Sequence, residues 1–215
     1  MIDLSFEIAG DRIPLDYGYA LFSALSRLVP RLHGDTRVGV HPIRGMRLEP
    51  RVLTLVTGSR LRIRLPAEEL VSYIGLAGES LELDGFGLRV GIPRVEPLIP
   101  AASLTSRLVT IKGSQDLDTF RVTARRQLLE AGVAAEPVLE VEAERGGPAR
   151  RVFRIKGRRL VGFSLQVVGL TAEESIRLQE RGLGGRRRMG CGVFVPLDSR
   201  PQRPSGQGVA NGGIE

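Results

Sequence analysis

The sequence has no tryptophan, one cysteine (Cys191), two histidines (His33 and His41) and two lysines (Lys112 and Lys156), and aromatic residues fill only 5% of its 215 positions. Each scarcity excludes something. One cysteine cannot build an internal disulfide framework, and two histidines stand against a Cys/His structural zinc site. No apolar run approaches the ~20 residues that cross a bilayer. The opening stretch MIDLSFEIAGDRIPLD carries Asp3 and Glu7 where a secretory signal needs basic and then apolar residues. A cytoplasmic protein without a membrane partner is therefore expected. There is no P-loop and no carboxylate cluster for two metal ions, so neither a metal nor another cofactor is expected, and nucleotide hydrolysis is disfavoured.

What is present is positive charge. A hydrophobic content of 42% and a charged content of 26% are those of a soluble globular protein. The net charge of +7 and the sequence pI of about 10.6 favour a polyanionic partner. Nearly all the basic residues are arginine, which grips phosphate bidentately and stacks on bases, a combination suited to RNA.

One order of elements recurs twice. In the first half, IDLSFEIAG alternates as a strand with Ile2, Leu4, Phe6 and Ile8 on one face. Residues 18–29 have helical spacing, with Leu21, Leu25 and Leu28 on one side and Pro30 ending or kinking the helix. RVGVHPIRGMRLEP is extended, and RVLTLVTGSRLRIRLP has the form of a hairpin around Gly58-Ser59. Pro66 opens a short helix, PAEELVSYIG, and GFGLRVGIPRVEP closes the half. In the second half, SLTSRLVTIKG is a strand, and DLDTFRVTARRQLLEAG is a helix with Leu117, Phe120, Ala124, Leu128 and Ala131 in register. A hairpin turns at Gly146-Gly147-Pro148, and RLVGFSLQVVGL continues extended. Thr171 and Glu174 form a capping box for the next helix, and GVFVP is the last strand. The order βαββαβ, twice, predicts an α+β fold of tandem ferredoxin-like (RRM-like) domains. Residues 1–96 form the first and 97–197 the second, joined by the proline-bearing linker VEPLIPA (95–101). A polar, Gly/Pro/Ser-rich tail, 198–215, is expected to be disordered.

GLGGRRRMGCGVFVP (182–196) sets five glycines around three consecutive arginines and falls between the last helix and the last strand. Glycine at that density implies positive φ or a bare backbone. Such a loop can cradle phosphates with its amides while the arginines add charge, or serve only for tight packing. Its position resembles the C-terminal signature of the RAMP superfamily of CRISPR-associated RNA-binding proteins. More narrowly, it resembles the CRISPR repeat-processing endoribonucleases. DYGYALFSALSRLVPRLH followed by GVHPIRG is similar to the MYXAN-type branch of that family, and the resemblance spans residues 1 to about 197.

The resemblance implies a metal-independent endoribonuclease that cleaves CRISPR repeat RNA by attack of the 2′-hydroxyl. The products are a 2′,3′-cyclic phosphate and a 5′-hydroxyl. That chemistry needs a base, an acid and cations for the phosphorane charge. The family's histidine near the end of the first helix matches His33, and histidine titrates where proton transfer needs it. His41, between Val40 and Pro42, is the rival, with a structural hydrogen bond as its other role. Tyr19, and less so Tyr17, could orient the phosphate or supply the acid. Relatives also place a lysine at the site. Neither lysine here falls in the first half, so Arg31, Arg37 or Arg44 is the substitute for stabilising charge. The resemblance implies RNA contacts by Gly184, Gly185, Arg186, Arg187, Arg188, Gly190 and Gly192, and by Lys112 and Lys156. A non-catalytic RNA-binding subunit of a CRISPR effector complex is the competing reading, with other effector subunits as its partners. A two-histidine phosphoesterase needs two H-x-[ST] motifs, and HGD and HPI fail that test. The sequence leaves the oligomeric state open.

Overall fold

Alternation of Leu4 and Phe6 with Ser5 and Glu7 makes Ile2–Ala9 a strand (β1), and the computed structural model sets it at the centre of a five-stranded antiparallel sheet. The structure describes residues 1–140, 150–155 and 158–197. β1 is followed by β2 (Arg12–Pro14), α1 (Gly18–Leu28), β3 (Gly39–Val40), β4 (Val52–Thr54) and β5 (Arg60–Leu65). Next come α2 (Leu70–Ile74), β6 (Ser80–Leu83) and β7 (Phe86–Pro97). The sheet order is β3-β5-β1-β7-β6, with Leu4 opposite Ile63 and Val95. Leu21, Phe22 and Leu25 of α1 pack on Leu4, Phe6, Leu61 and Ile63. Leu28, expected on the same stripe, is 40% exposed because the helix ends there and Pro30 opens a 3-10 turn through His33.

The second half repeats the plan with β8 (Ser103–Val109), α3 (Leu117–Glu130), β9 (Glu136–Leu139), β10 (Arg150–Ile155), β11 (Arg158–Val168), α4 (Ala172–Arg181) and β12 (Val195–Pro196). Its antiparallel sheet runs β10-β11-β8-β12. β9 pairs with β11 at Leu165–Val168, beyond the stretch of β11 that β10 occupies. Phe120, Ala124 and Leu128 of α3 face Leu104, Phe163 and Leu165, and the Phe120 and Phe163 rings meet at 4.7 Å. The capping box forms as expected: Thr171 Oγ1 accepts from the Glu174 amide, and Glu174 Oε2 accepts from the Thr171 amide. The two ferredoxin-like sheets each carry their own apolar core.

Three expectations change. The turn at Gly58-Ser59 exists, but β4 and β5 do not form a hairpin. β4 pairs with β2, setting Leu53 opposite Ile13, while β5 lies between β1 and β3. The expected linker at 95–101 is strand as far as Pro97, which lies opposite Ile2. The last strand is confined to Val195–Pro196. The turn at Gly146-Gly147-Pro148, Lys156 and the 198–215 tail lie outside the described residues.

A buried polar clasp joins the halves. Arg64 on β5 donates through Nε and Nη2 to both oxygens of Asp3. Its Nη1 donates to the carbonyls of Gln179 and Phe194 in the second half, at 2.8 Å each. Burial of a charge demands such pairing.

Candidate active site

The glycine-rich loop is shaped by its own packing. Gly192 has φ +65°, and a Cβ there would sit inside the Leu183 carbonyl; Gly184 has φ +73°, and a Cβ would strike the Thr110 carbonyl. The glycine amides are spent inside the protein. Gly184 donates to Gln127 Oε1, Gly185 to the Thr110 carbonyl, Gly190 to the Arg187 carbonyl and Gly192 to the Leu108 carbonyl. In this conformation those four amides are not offered to a phosphate. Cys191 is buried beneath them, and burial pushes its thiol up to about 12, so it is inert as a nucleophile.

The three arginines point three ways. Arg186 adopts left-handed backbone (φ +64°) and starts a 3-10 turn over Arg187–Met189, which fans the next side chains apart. The Arg186 side chain is exposed, and its guanidinium makes no ion pair or hydrogen bond among the described residues. Arg187 turns inward and donates to the Glu180 carbonyl at 2.7 Å. Burial, reinforced by the charge of Arg64, lowers its pKa to about 10, so it stays a cation at neutral pH. Arg188 crosses to the first half and donates to the carbonyls of Leu32 (2.9 Å) and His33. Its guanidinium also lies 5.5 Å from the centre of the Phe22 ring.

This brings His33 and the loop together. His33 ends the 3-10 turn after α1, is exposed, and stacks on Phe22 at 5.8 Å and 27°. Tyr19 is half-buried one helical turn before Phe22, with ring centres 6.5 Å apart. The close fit continues at Gly18, where a Cβ would lie 2.7 Å from the Met189 carbonyl. Lys112 is exposed two residues past Thr110, the residue that holds Gly185 at both its amide and its carbonyl.

Other candidates lie elsewhere. His41 is buried on β5's edge side, with Nε2 3.2 Å from Asp3 Oδ1. Burial pushes its imidazole down to about 4 against the pull of Asp3. Burial acts to raise the Asp3 carboxyl, yet His41 and the Arg64 guanidinium beside it hold it well below the usual carboxylate range. An ionised Asp3 only accepts, so the neutral His41 carries its proton on Nε2 and donates it. Tyr17 is likewise structural in its contacts: its hydroxyl accepts from the Ile43 amide at 2.6 Å and donates to the Ile43 carbonyl at 3.3 Å. Arg31 pairs with Glu69 at 2.6 Å, and Arg37 with Asp35, Glu68 and Glu69. Arg44 is exposed, and its carbonyl accepts from Ser59. Sequence reasoning missed Phe22 and Arg64. Phe22 sits one residue off the leucine stripe of α1, and Arg64 lies in a strand whose alternating arginines resemble a solvated face.

Comparison with known proteins gives the family and the fold. The family described as "Cas6 Crispr" matches residues 2–199. The chain is 43% identical over 195 residues to the "CRISPR-associated endonuclease Cas6" of Myxococcus xanthus (strain DK1622), covering 91% of this chain and 81% of that protein. Among solved structures, "CRISPR associated protein Cas6" superposes with a TM-score of 0.67 at 14% identity, over 91% of this chain and 99% of the other. "An RAMP protein binding different RNA substrates" superposes with a TM-score of 0.64 at 11% identity, over 90% and 98%. The family model and the curated relative together define a CRISPR-associated protein. Within that class, the chain belongs to the Cas6 family.

Proposed function

We propose that this protein is an endoribonuclease that binds CRISPR repeat RNA and cuts it without a metal, the 2′-hydroxyl attacking the adjacent phosphorus. The observation that carries the reading is the docking of the Arg187–Met189 turn against the exposed His33. The turn ties His33 to the loop that carries the exposed Arg186, and Thr110, two residues before Lys112, holds that loop at Gly185. His33 serves as general base or acid, since an exposed imidazole can reach a 2′-hydroxyl or a leaving oxygen. Tyr19 orients the phosphate from α1. His41, held in the Asp3 clasp, keeps the fold. Among the described residues no group of three or more His, Cys, Asp or Glu is arranged to hold a metal ion, and this chemistry asks for none.

The test is cleavage of repeat RNA under single-turnover conditions. His33→Ala should bind RNA as the parent does and cut roughly 10²–10⁴-fold more slowly. Cutting should survive EDTA and stop when the nucleotide 5′ of the scissile phosphate carries 2′-deoxyribose. EDTA-sensitive cutting, or cutting of the deoxy substrate, would sink the mechanism. A non-catalytic RNA-binding subunit is favoured by one observation: Arg31 and Arg37, the cations nearest His33 in sequence, are paired with carboxylates. Tight binding of repeat RNA with no cutting at all would select that reading.

A further inference from the structure

We infer that Arg188 is a positioning residue for His33 rather than a phosphate contact; this rests on the nuclease reading above. The 3-10 turn Pro30–His33 ends with the carbonyls of Leu32 and His33 beyond its last internal hydrogen bonds, which the Gly34 and Asp35 amides donate to the Arg31 carbonyl. Orphan carbonyls at a helix end take whatever donor is at hand. Here the donor comes from 155 residues away in sequence: Arg188 Nη1 serves both carbonyls. The same guanidinium stacks on Phe22, and His33 stacks on Phe22. One side chain of the opposite half thus holds the His33 backbone directly and lies against Phe22, the ring on which the imidazole stacks. Arg188 is half-buried and spends its Nη1 on the two carbonyls, whereas the guanidinium of exposed Arg186 next door makes no hydrogen bond or ion pair among the described residues. Proton transfer tolerates little error in placement, and a shift of about 1 Å can cost on the order of 10²-fold in rate. A loop that grips RNA with Arg186 and sets His33 with Arg188 thereby couples binding to chemistry through one turn of chain.

The experiment compares Arg188→Ala and Arg188→Lys with the parent on repeat RNA. Cleavage at saturating enzyme should fall roughly 10- to 100-fold in both variants, because lysine keeps the charge but lacks the planar fork and its stacking. Affinity and the slope of log affinity against log salt should stay as in the parent. The two histidines make an internal check by NMR. Their ring signals are told apart by titration, since buried His41 takes its proton only near pH 4. In Arg188→Ala the His33 signals should move and those of His41 should not. Should both move, Arg188→Met, which keeps the apolar stem, is measured instead. An unchanged rate at saturation with a salt slope shallower by about 0.7 would overturn the inference, because that is the mark of one lost phosphate contact. Unmoved His33 signals would overturn it as well. A fully active His33→Ala would defeat the nuclease assignment itself and this inference with it. A slow His33→Ala beside a fast, tight-binding Arg188→Ala would defeat this inference alone.

Discussion

Arg64 and Asp3 meet as a bidentate pair, 2.7 Å from Nε to Oδ1 and 2.9 Å from Nη2 to Oδ2, where both side chains are almost wholly removed from solvent. The remaining nitrogen, Nη1, spans the junction to the carbonyls of Gln179 and Phe194. One side chain thus ties the central strand β1 to the end of α4 and to the segment entering β12.

Removing one partner of such a pair is costly because it strands the other charge. Arg64→Met should destabilise the protein by about 3–5 kcal/mol. Asp3→Asn combined with Arg64→Met should recover part of that loss, since no unpaired carboxylate is then buried. Urea unfolding of the parent and the two variants checks this. A double variant less stable than Arg64→Met would show that the cost comes from lost packing rather than from the orphaned charge.

The same clasp sets an acid limit on stability. The unfolded chain protonates His41 near pH 6.5, whereas the folded protein holds it neutral down to about 4. Between those values the unfolded state binds more protons, so stability is full above pH 6.5 and falls as pH drops towards 4, by up to about 3 kcal/mol. Asp3, whose folded pKa is depressed, adds a loss of the same sign further into acid. His41→Asn should flatten the decline between pH 6.5 and 4. Denaturation midpoints at several pH values in that window would expose an error as an unaltered slope.

Gly192 and Gly185 separate the structural glycines from the tolerant ones. Gly192→Ala must place a Cβ at positive φ and into the carbonyl of Leu183, the residue whose amide donates to the Gly192 carbonyl. A cost of at least about 1–3 kcal/mol follows, with disruption of the turn that carries Arg188. Gly185 has ordinary φ, and an added Cβ meets nothing nearer than the Thr110 carbonyl at 4.0 Å. Gly185→Ala should melt close to the parent. Equal melting temperatures for the two variants would refute the packing account of the loop.

The elements that local sequence controls were legible: the α1 and α3 spacing, the Thr171–Glu174 box, and the doubled βαββαβ order. What escaped depended on distant partners. β4 has the composition of a hairpin strand with β5, but Ile13 of β2 competes for it, and local pattern carries no record of that competition. Arg62 and Arg64 alternate with Leu61, Ile63 and Leu65 as a solvated strand face would. The second half covers that face, and Arg64 becomes the least exposed arginine position of the clasp, at 1%. The run Arg186–Arg188 looks like one basic patch, yet a single left-handed residue at its head sends the side chains to solvent, to the interior and across to His33.

That divergence gives the sharpest test of the loop. Arg186 is exposed and uncommitted, whereas Arg187 holds the Glu180 carbonyl from a half-buried position. Arg186→Ala should leave the unfolding free energy within about 0.5 kcal/mol of the parent, as surface changes do. It should weaken repeat RNA binding and make the salt slope shallower by roughly 0.7 for the phosphate no longer neutralised. Lys112→Ala should behave the same way, and the two changes together should add, since neither side chain leans on the other. Arg187→Ala should do the reverse: stability falls, because the Glu180 carbonyl loses its donor and a gap opens beside Gly39, while the salt slope holds. Should Arg187→Ala lower the salt slope as much as Arg186→Ala, the inward placement of Arg187 is not the one that meets RNA, and the loop must open when it binds.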